Sequence, residues 1–161
     1  MVGLRHQRAA IIAGPEENRT VVMIRPILEA GLEERKIDPY PVCHSDSQVD
    51  AGTLAVRTIL SSLKAPAVIF CGSDRIAIGA MSALEEAGAR IPEDVSVIGI
   101  DDISFAFLTR PPLTTIRVPR EQLGRTAFQA FDKMLRLQRR KGAEYHLETE
   151  LVVRKSTAPA R

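Results

Sequence analysis

The sequence predicts an α/β domain with three layers, α/β/α, in which helices cover both faces of a mainly parallel sheet. The first observation is a strand–helix–strand pattern over residues 67–102, where two short apolar runs flank a stretch of helical periodicity. The second is that short apolar runs and amphipathic stretches also alternate in the chain before this pattern. The third is size, since 161 residues with 45% hydrophobic content can bury a core of one domain.

The central unit begins with the apolar run 67–71, which is typical of a buried strand. A helix follows, and its small or apolar positions are Ile76, Ala77, Ala80, Met81, Leu84 and Ala87. Gly88 is placed as a helix C-cap glycine, with Pro92 beyond it. Residues 95–100 (V-S-V-I-G-I) then predict a second buried strand, which should run parallel to the first.

The preceding part of the chain predicts two more strand–helix pairs. Residues 8–13 (R-A-A-I-I-A) read as a buried strand, and a helix is expected over about residues 20–35 with a disturbance near Pro26. Residues 41–44 are a short strand candidate. Asp50 is expected to cap the next helix, which carries a regular amphipathic stripe.

After the central unit, residues 114–118 are expected to be extended, and Pro119 introduces a helix over residues 120–139. The apolar face of this helix is broad enough to bury against a sheet, and consists of Leu123, Ala127, Phe128, Ala130, Phe131, Met134, Leu135 and Leu137. Residues 145–154 alternate in part and predict an edge strand.

Composition excludes several functional classes. A net charge of +2 does not indicate a nucleic-acid surface, and no apolar run approaches the roughly 20 residues of a membrane span. The N-terminal residues lack the apolar core of a signal peptide, so a cytoplasmic location is expected. Cys43 and Cys71 are interpreted as small buried thiols, because two cysteines without a nearby histidine pair make a poor zinc site.

Polar side chains lie where the two central strands end. Ser73 and Asp74 follow the first strand, and Asp101 and Asp102 follow the second. Ligands of open parallel sheets bind outside the carboxyl ends of the strands, so this edge is the predicted site. Ser73 is also suited to cap the helix, which is compatible with contact to a hydroxyl or an anion.

Catalysis is not indicated at this edge. An Asp101-Asp102 metal or phosphoryl-acceptor pair would need a partnering lysine, and neither Lys64 nor Lys133 is at a strand end. No nucleophile–base pair and no phosphate loop are visible in the sequence. The expectation is a protein that is not an enzyme and uses neither a metal nor a cofactor.

The motifs of the chain resemble those of the lactose-repressor (LacI) family of transcription regulators. The resemblance is carried by F-C-G-S-D-R-I-A-I-G-A-M-S-A-L-E-E-A-G, V-S-V-I-G-I-D-D, P-P-L-T-T-I-R-V and L-V-V-R-K-S-T, with R-A-A-I-I-A-G-P-E-E-N opening the second sensor lobe. It covers nearly the whole chain. It implies the second lobe of a fold like that of type I periplasmic sugar-binding proteins, in which a small effector binds between two lobes.

The resemblance also implies which residues contact the effector. They are Asp46, Ser47, Ser73, Asp74 and Asp101, of which Asp101 matches the family aspartate that binds effector hydroxyls. Three positions depart from the family pattern. The arginine expected near Val22 is absent, Ser47 replaces a frequent aromatic residue, and Val118 stands where glutamine is frequent.

The function expected from the resemblance is sensing of a sugar-like or nucleoside-like effector and dimerisation of a transcription regulator. The resemblance leads one to expect a chain without the helix-turn-helix and without most of the first lobe, so that DNA would be bound only through a missing N-terminal domain. The family packs the helix at residues 120–139 on the first lobe, and its apolar face here needs another cover, which favours a homodimer. The alternative is a free-standing sugar-binding protein.

Overall fold

The computed structural model describes residues 8–15, 19–39, 48–62, 68–138 and 142–159, which form six strands and four helices. The strands are β1 (Arg8–Ile12), β2 (Asp38–Pro39), β3 (Val68–Cys71), β4 (Ser96–Asp101), β5 (Thr114–Arg117) and β6 (Glu150–Val152). The helices are α1 (Arg19–Glu34), α2 (Gln48–Ser62), α3 (Asp74–Glu86) and α4 (Arg120–Arg136). All strands belong to one sheet in the order β2-β1-β3-β4-β5-β6. Neighbours pair in parallel except β5 and β6, which are antiparallel.

The sheet is buried on both faces, as the apolar runs in the sequence predict. Alternate residues of the central strands point to opposite sides. Ile12, Ile69 and Val97 face a core formed with α2 and α3. Ile11 and Phe70 face a second core closed by α1. The predicted three-layer α/β/α class with a mainly parallel sheet is therefore confirmed.

Two glycines bring α2 and α3 into close contact. A Cβ at Gly52 would overlap the backbone of α3 near Ile76, and a Cβ at Gly79 would overlap the carbonyl group of Val49. Thr53 donates a hydrogen bond from its hydroxyl to the carbonyl oxygen of Gly79 at 3.3 Å. The backbones meet where a side chain would otherwise separate them, so these two helices form one rigid layer on the sheet.

α4 differs from the other helices because none of its residues is buried. Its large apolar side chains are exposed, with Phe128 71% and Leu135 62% accessible. No element in the described part of the chain covers this apolar face, and its packing on a first lobe stays a prediction. The helix itself is confirmed, and it begins directly after Pro119.

The remaining sequence predictions have mixed outcomes. The long helix through Pro26 is confirmed as α1. Asp50 does not cap α2, because the helix begins at Gln48 and Asp50 lies in its first turn. The predicted edge strand is confirmed only over β6, three residues long. The strand candidate at residues 41–44 lies outside the described residues.

The segment 154–158, here called the C-terminal strap, is hydrogen-bonded to β4 and β5. Ser156 is fully buried; its hydroxyl donates to the carbonyl oxygen of Val97 at 2.6 Å and accepts from the N–H of Thr114 at 2.8 Å. The N–H of Val97 in turn donates to the carbonyl oxygen of Ser156 at 2.8 Å. One serine therefore links two parallel strands at their amino ends.

Candidate functional site

Ser73 and the start of α3 lie at the carboxyl edge of the sheet, as predicted. Ser73 has extended backbone angles, and its hydroxyl accepts a hydrogen bond from the N–H of Ile76 at 3.3 Å. This is the N-cap geometry that serine favours. At the other end of α3, Gly88 has φ of +77°, which confirms the predicted C-cap glycine.

The side chain of Asp74 is buried inside the fold and is not exposed to a ligand. Its side chain is fully buried, with one carboxylate oxygen accepting from the Thr115 hydroxyl at 2.5 Å and the other from the Ile103 N–H at 2.8 Å. Burial raises the pKa of Asp74, and these two hydrogen bonds act in the opposite direction. A Cβ at Gly99 would overlap Asp74, so glycine is required there. Asp74 thus joins α3 to β5 and to the turn after β4.

The turn after β4 has an unusual backbone. Asp101 has φ of +120° and Asp102 has φ of +51°. Non-glycine residues rarely adopt positive φ, and a residue held in a sparsely populated region costs about 1–3 kcal/mol. Two such residues in succession persist only where the surrounding contacts fix them.

Asp102 is held by two arginines. Arg154 donates to one of its carboxylate oxygens at 2.6 Å, and Arg117 donates to the other at 2.7 Å. The Asp102 side chain is 10% exposed. Burial acts to raise the pKa of Asp102, but the hydrogen bonds and charges of Arg154 and Arg117 outweigh it and the pKa is lowered. Asp102 is therefore an ionised anchor within the fold.

A third arginine binds the backbone of the same turn. The guanidinium of Arg120, at the start of α4, donates to the carbonyl oxygen of Asp101 at 3.0 Å and to that of Asp102 at 2.7 Å. The N–H of Asp102 donates to the Thr115 hydroxyl oxygen at 3.4 Å. The polar backbone groups of the turn are thus engaged by side chains from other elements.

Asp101 is the exception among these carboxylates. Its side chain is half-buried, and no hydrogen bond joins its carboxylate to any residue that the structure describes. Burial and the nearby charge of Asp74 raise the pKa of Asp101, while Arg120 and Arg75 lower it. The carboxylate can therefore accept hydrogen bonds from a bound molecule.

A cavity of about 460 Å³ lies beside this turn, between the end of β5 and the start of α4. Its lining residues are Asp102, Arg117, Val118, Pro119, Arg120, Glu121, Gln122 and Arg125. Val118, where the family resemblance leads one to expect glutamine, lines this cavity. The cavity is of the size of small-molecule sites, which span about 300–1,000 Å³.

The described residues contain no cluster of three or more histidine, cysteine or acidic side chains that could hold a metal ion. Cys71 is buried, and burial raises the pKa of its thiol far above the usual range, so it is unsuited to act as a thiolate. Within the described ranges, no helix combines the length and the apolar character needed to cross a membrane.

The structure brings together Ser73, Asp74 and Asp101, while Asp46 and Ser47 lie outside the described residues. Sequence reasoning assigned no role to Thr115, Arg117, Arg120 or Arg154. A signal for Thr115 was available, because two adjacent threonines interrupt an otherwise apolar stretch at the start of a predicted strand. No signal in the sequence indicated the roles of the three arginines, because arginines are common at protein surfaces.

The comparisons with known proteins agree with this fold. The periplasmic binding protein-like domain family matches residues 1–157. The transcriptional repressor CytR of Escherichia coli K12 is 33% identical over 157 residues, which cover 94% of this chain and 45% of CytR. The chain therefore spans less than half the length of this curated relative.

Solved structures show the same relation. A dimeric Lac repressor with an 11-residue C-terminal deletion matches with a TM-score of 0.90 and 29% identity, covering 99% of this chain and 58% of that one. A LacI-family regulator from Enterococcus faecium with bound ribose matches with a TM-score of 0.85 and 29% identity, covering 99% and 60%. The chain belongs to the periplasmic binding protein-like domain family, in the form that LacI-type transcription regulators use to bind effectors.

Proposed function

We propose that the chain senses a small polyhydroxylated effector, a sugar or a nucleoside, for a LacI-type transcription regulator, and that Asp101 contacts that effector. The observation that carries this proposal is the Asp101 carboxylate, which is half-buried at the carboxyl end of β4 and lacks a hydrogen-bond partner among the described residues. An ionised carboxylate accepts through two oxygens, and its hydrogen bonds to hydroxyls are charge-assisted.

Neighbouring groups support a polyhydroxylated ligand rather than an apolar one. Arg75 and Arg120 place positive charge near Asp101, which favours its ionised form. Ser73 lies half-buried at the N-terminus of α3, an end of a helix that favours oxygen-rich groups. The Enterococcus faecium relative is described with bound ribose. Asp46 and Ser47 remain proposed contacts with the effector.

The exposed face of α4 supports a second part of the proposal, that a first lobe covers this helix. No residue of α4 is buried, although Leu123, Phe128, Phe131 and Leu135 lie exposed along it. Large exposed apolar patches of this kind mark interfaces. CytR is more than twice as long as the matched region. Effector bound between the lobes would then contact both Asp101 and the lobe that packs on α4.

We also propose that the regulator acts in the cytoplasm as a homodimer and reaches DNA through a separate N-terminal domain. The exposed apolar side chains of Phe105, Phe107 and Leu108 support a self-interface. Their loop lies beside α3, because the N–H of Ile103 at its start donates to Asp74, the first residue of that helix. A symmetric dimer buries one such patch against itself. The matched Lac repressor is described as dimeric.

The experiment is a titration of the 161-residue chain with ribose, glucose and adenosine, followed by amide NMR and calorimetry. At least one probe should shift the resonances of residues 72–74 and 101–103. Asp101→Asn should weaken that binding at least tenfold, since a hydrogen bond to a charged group contributes about 1.5–3 kcal/mol.

The control is Asp132→Asn, which changes a carboxylate of α4 that pairs with Arg136 at 2.8 Å and does not line the cavity. This variant should bind the probe as the parent chain does. Binding that survives Asp101→Asn unchanged, or millimolar probes that shift no resonance at this edge, would overturn the assignment of the site.

A further inference from the structure

We propose that Arg154 and Asp102 are positioning residues for the effector site, because they hold the strained turn that presents the Asp101 carboxylate. With Asp74, Arg117 and Arg120 they form a set of side chains here called the turn clamp. The inference rests on the proposed role of Asp101 in effector contact. It adds that the affinity of the site is set by residues that do not touch the ligand.

The need for a clamp follows from the backbone. Asp101 and Asp102 both have positive φ, and at φ of +120° Asp101 lies outside the region that non-glycine residues commonly visit. Without external contacts, Asp101 would relax to the extended φ of the strand it ends. A rotation of this kind at φ redirects the side chain, so the carboxylate would no longer face the same space.

The clamp holds the turn at Asp101 and directly after it. At the turn, Arg120 binds the carbonyl oxygens of Asp101 and Asp102. After the turn, the Ile103 N–H is fixed by the buried carboxylate of Asp74. Since neither contact involves the Asp101 side chain, that side chain is left available while its backbone is fixed.

Arg154 is the contact with the greatest reach in sequence. It lies 52 residues after Asp102 and donates to that carboxylate at 2.6 Å through one terminal nitrogen. Its other terminal nitrogen donates to the carbonyl oxygen of Leu113 at 2.8 Å. Its side chain is only 18% exposed, so it is partly shielded from water and competing ions. Arg154 therefore joins the turn to the amino end of β5.

Arg117 completes the grip on the Asp102 side chain. It donates to the second carboxylate oxygen of Asp102 at 2.7 Å and also to Glu150 of β6 at 2.8 Å. Both oxygens of Asp102 are thus bound by arginines, so its carboxylate is engaged within the fold, unlike that of Asp101. The two adjacent aspartates therefore have different roles: Asp102 holds the turn, and Asp101 is left to contact the effector.

The test uses the 161-residue chain with Arg154→Met, which keeps the apolar stem and removes the guanidinium, and with Asp102→Asn. The three-bond HN–Hα coupling of Asp101 reports its φ directly, being small at +120° and large in an extended strand. Both variants should move this coupling toward the extended value in the absence of ligand. Affinity for whichever of ribose, glucose or adenosine binds the parent chain should fall at least tenfold.

Arg154→Lys should shift the Asp101 coupling and the affinity less than Arg154→Met does. An ammonium can still bind Asp102 or Leu113, but it lacks the planar guanidinium that binds both together. The matched control is Arg125→Met, which removes an arginine from the neighbouring cavity without touching the turn. It should leave the Asp101 coupling unchanged. If Arg154→Met does not fold, Asp102→Asn alone decides the outcome.

The failure of this inference and the failure of the proposed function give different results. A folded Arg154→Met or Asp102→Asn chain with an unaltered Asp101 coupling would overturn the clamp, whatever the chain binds. A changed coupling, together with probe binding that is indifferent to Asp101→Asn, would uphold the clamp as a structural device but overturn its link to the effector and the proposed role of Asp101.

Discussion

α3 and α4 both follow a strand of the same sheet and both carry an amphipathic pattern, yet they end in opposite environments. Eight of the thirteen residues of α3 are buried, and none of the seventeen of α4 is. Amphipathic periodicity indicates that a helix needs an apolar partner. It does not indicate whether that partner belongs to the same stretch of chain. Substitutions of the same kind in the two regions should therefore have different effects.

The largest contrast is expected for leucine truncation. Leu84 of α3 is fully buried in the core with the sheet, whereas Leu135 of α4 is 62% exposed. Leu84→Ala should lower the free energy of unfolding by about 2–5 kcal/mol, since it removes apolar contacts and leaves a cavity. Leu135→Ala should change it by no more than about 0.5 kcal/mol. Urea denaturation of both variants measures this, and equal losses would show that α4 is packed in solution.

Replacing glycine by alanine should have opposite effects on stability in the two helices. A Cβ at Gly79 would overlap the backbone of α2, whereas nothing lies within 4 Å of a Cβ at Gly124. Gly79→Ala should destabilise the chain by about 2–3 kcal/mol, because rigid backbones must separate. Gly124→Ala should stabilise it by about 0.5–1 kcal/mol through helix propensity. Thermal melting of the pair tests this, and a stabilised Gly79→Ala would contradict the close α2–α3 contact.

Serine substitution compares the buried C-terminal strap with an exposed loop. Ser156→Ala leaves the Val97 carbonyl and the Thr114 N–H without their partner inside the sheet, which should cost about 1–3 kcal/mol. Ser104 is exposed in the loop after the turn, and Ser104→Ala should be neutral. Chemical denaturation distinguishes the two, and a neutral Ser156→Ala would mean that the strap contributes little to stability.

The smallest predicted effect concerns acid. Because the arginines lower the pKa of Asp102 when folded, its stabilising contribution is present above the unfolded value of about 3.9 and is lost as pH falls through the lower folded value. The stability difference between the parent chain and Asp102→Asn should be greatest at neutral pH and shrink below about pH 4. Asp132→Asn, which breaks an exposed pair with Arg136, should make little difference at any pH.

The acid prediction fails if the difference between the parent chain and Asp102→Asn is constant from pH 7 to pH 3. Asp74 acts with the opposite sign, because burial raises its pKa and ionisation disfavours the fold. The comparison of Asp102→Asn with the parent chain cancels most of that contribution, since Asp74 is present in both.

The parts of the fold that depend on local pattern were predictable. The strand at residues 95–100, the N-cap at Ser73 and the C-cap at Gly88 each follow from neighbouring residues, and the structure has all three within one residue. The approximate place of the site was predictable for a related reason. Parallel strands bring their carboxyl ends to one edge, whatever the details of the side chains.

The roles of the side chains were less predictable because they depend on distant partners. Asp74 looked like a ligand contact, yet its burial is set by Thr115 and Ile103. The link between Arg154 and Asp102 crosses 52 residues that carry no periodic signal for it. For α4, the sequence pattern predicted the helix correctly. The same pattern does not say which surface the apolar side of the helix packs against.

The C-terminal strap has a consequence for the order of events during synthesis. Ser156 follows Thr114 by 42 residues, and ribosomes add about 5–20 residues per second. For about 2–8 seconds, β4 and β5 therefore exist without the serine that joins them. The nascent domain would expose two open backbone groups in that interval, which is when a chaperone or a neighbouring nascent chain could bind there. Slow codons between these positions would lengthen the interval without altering the finished protein.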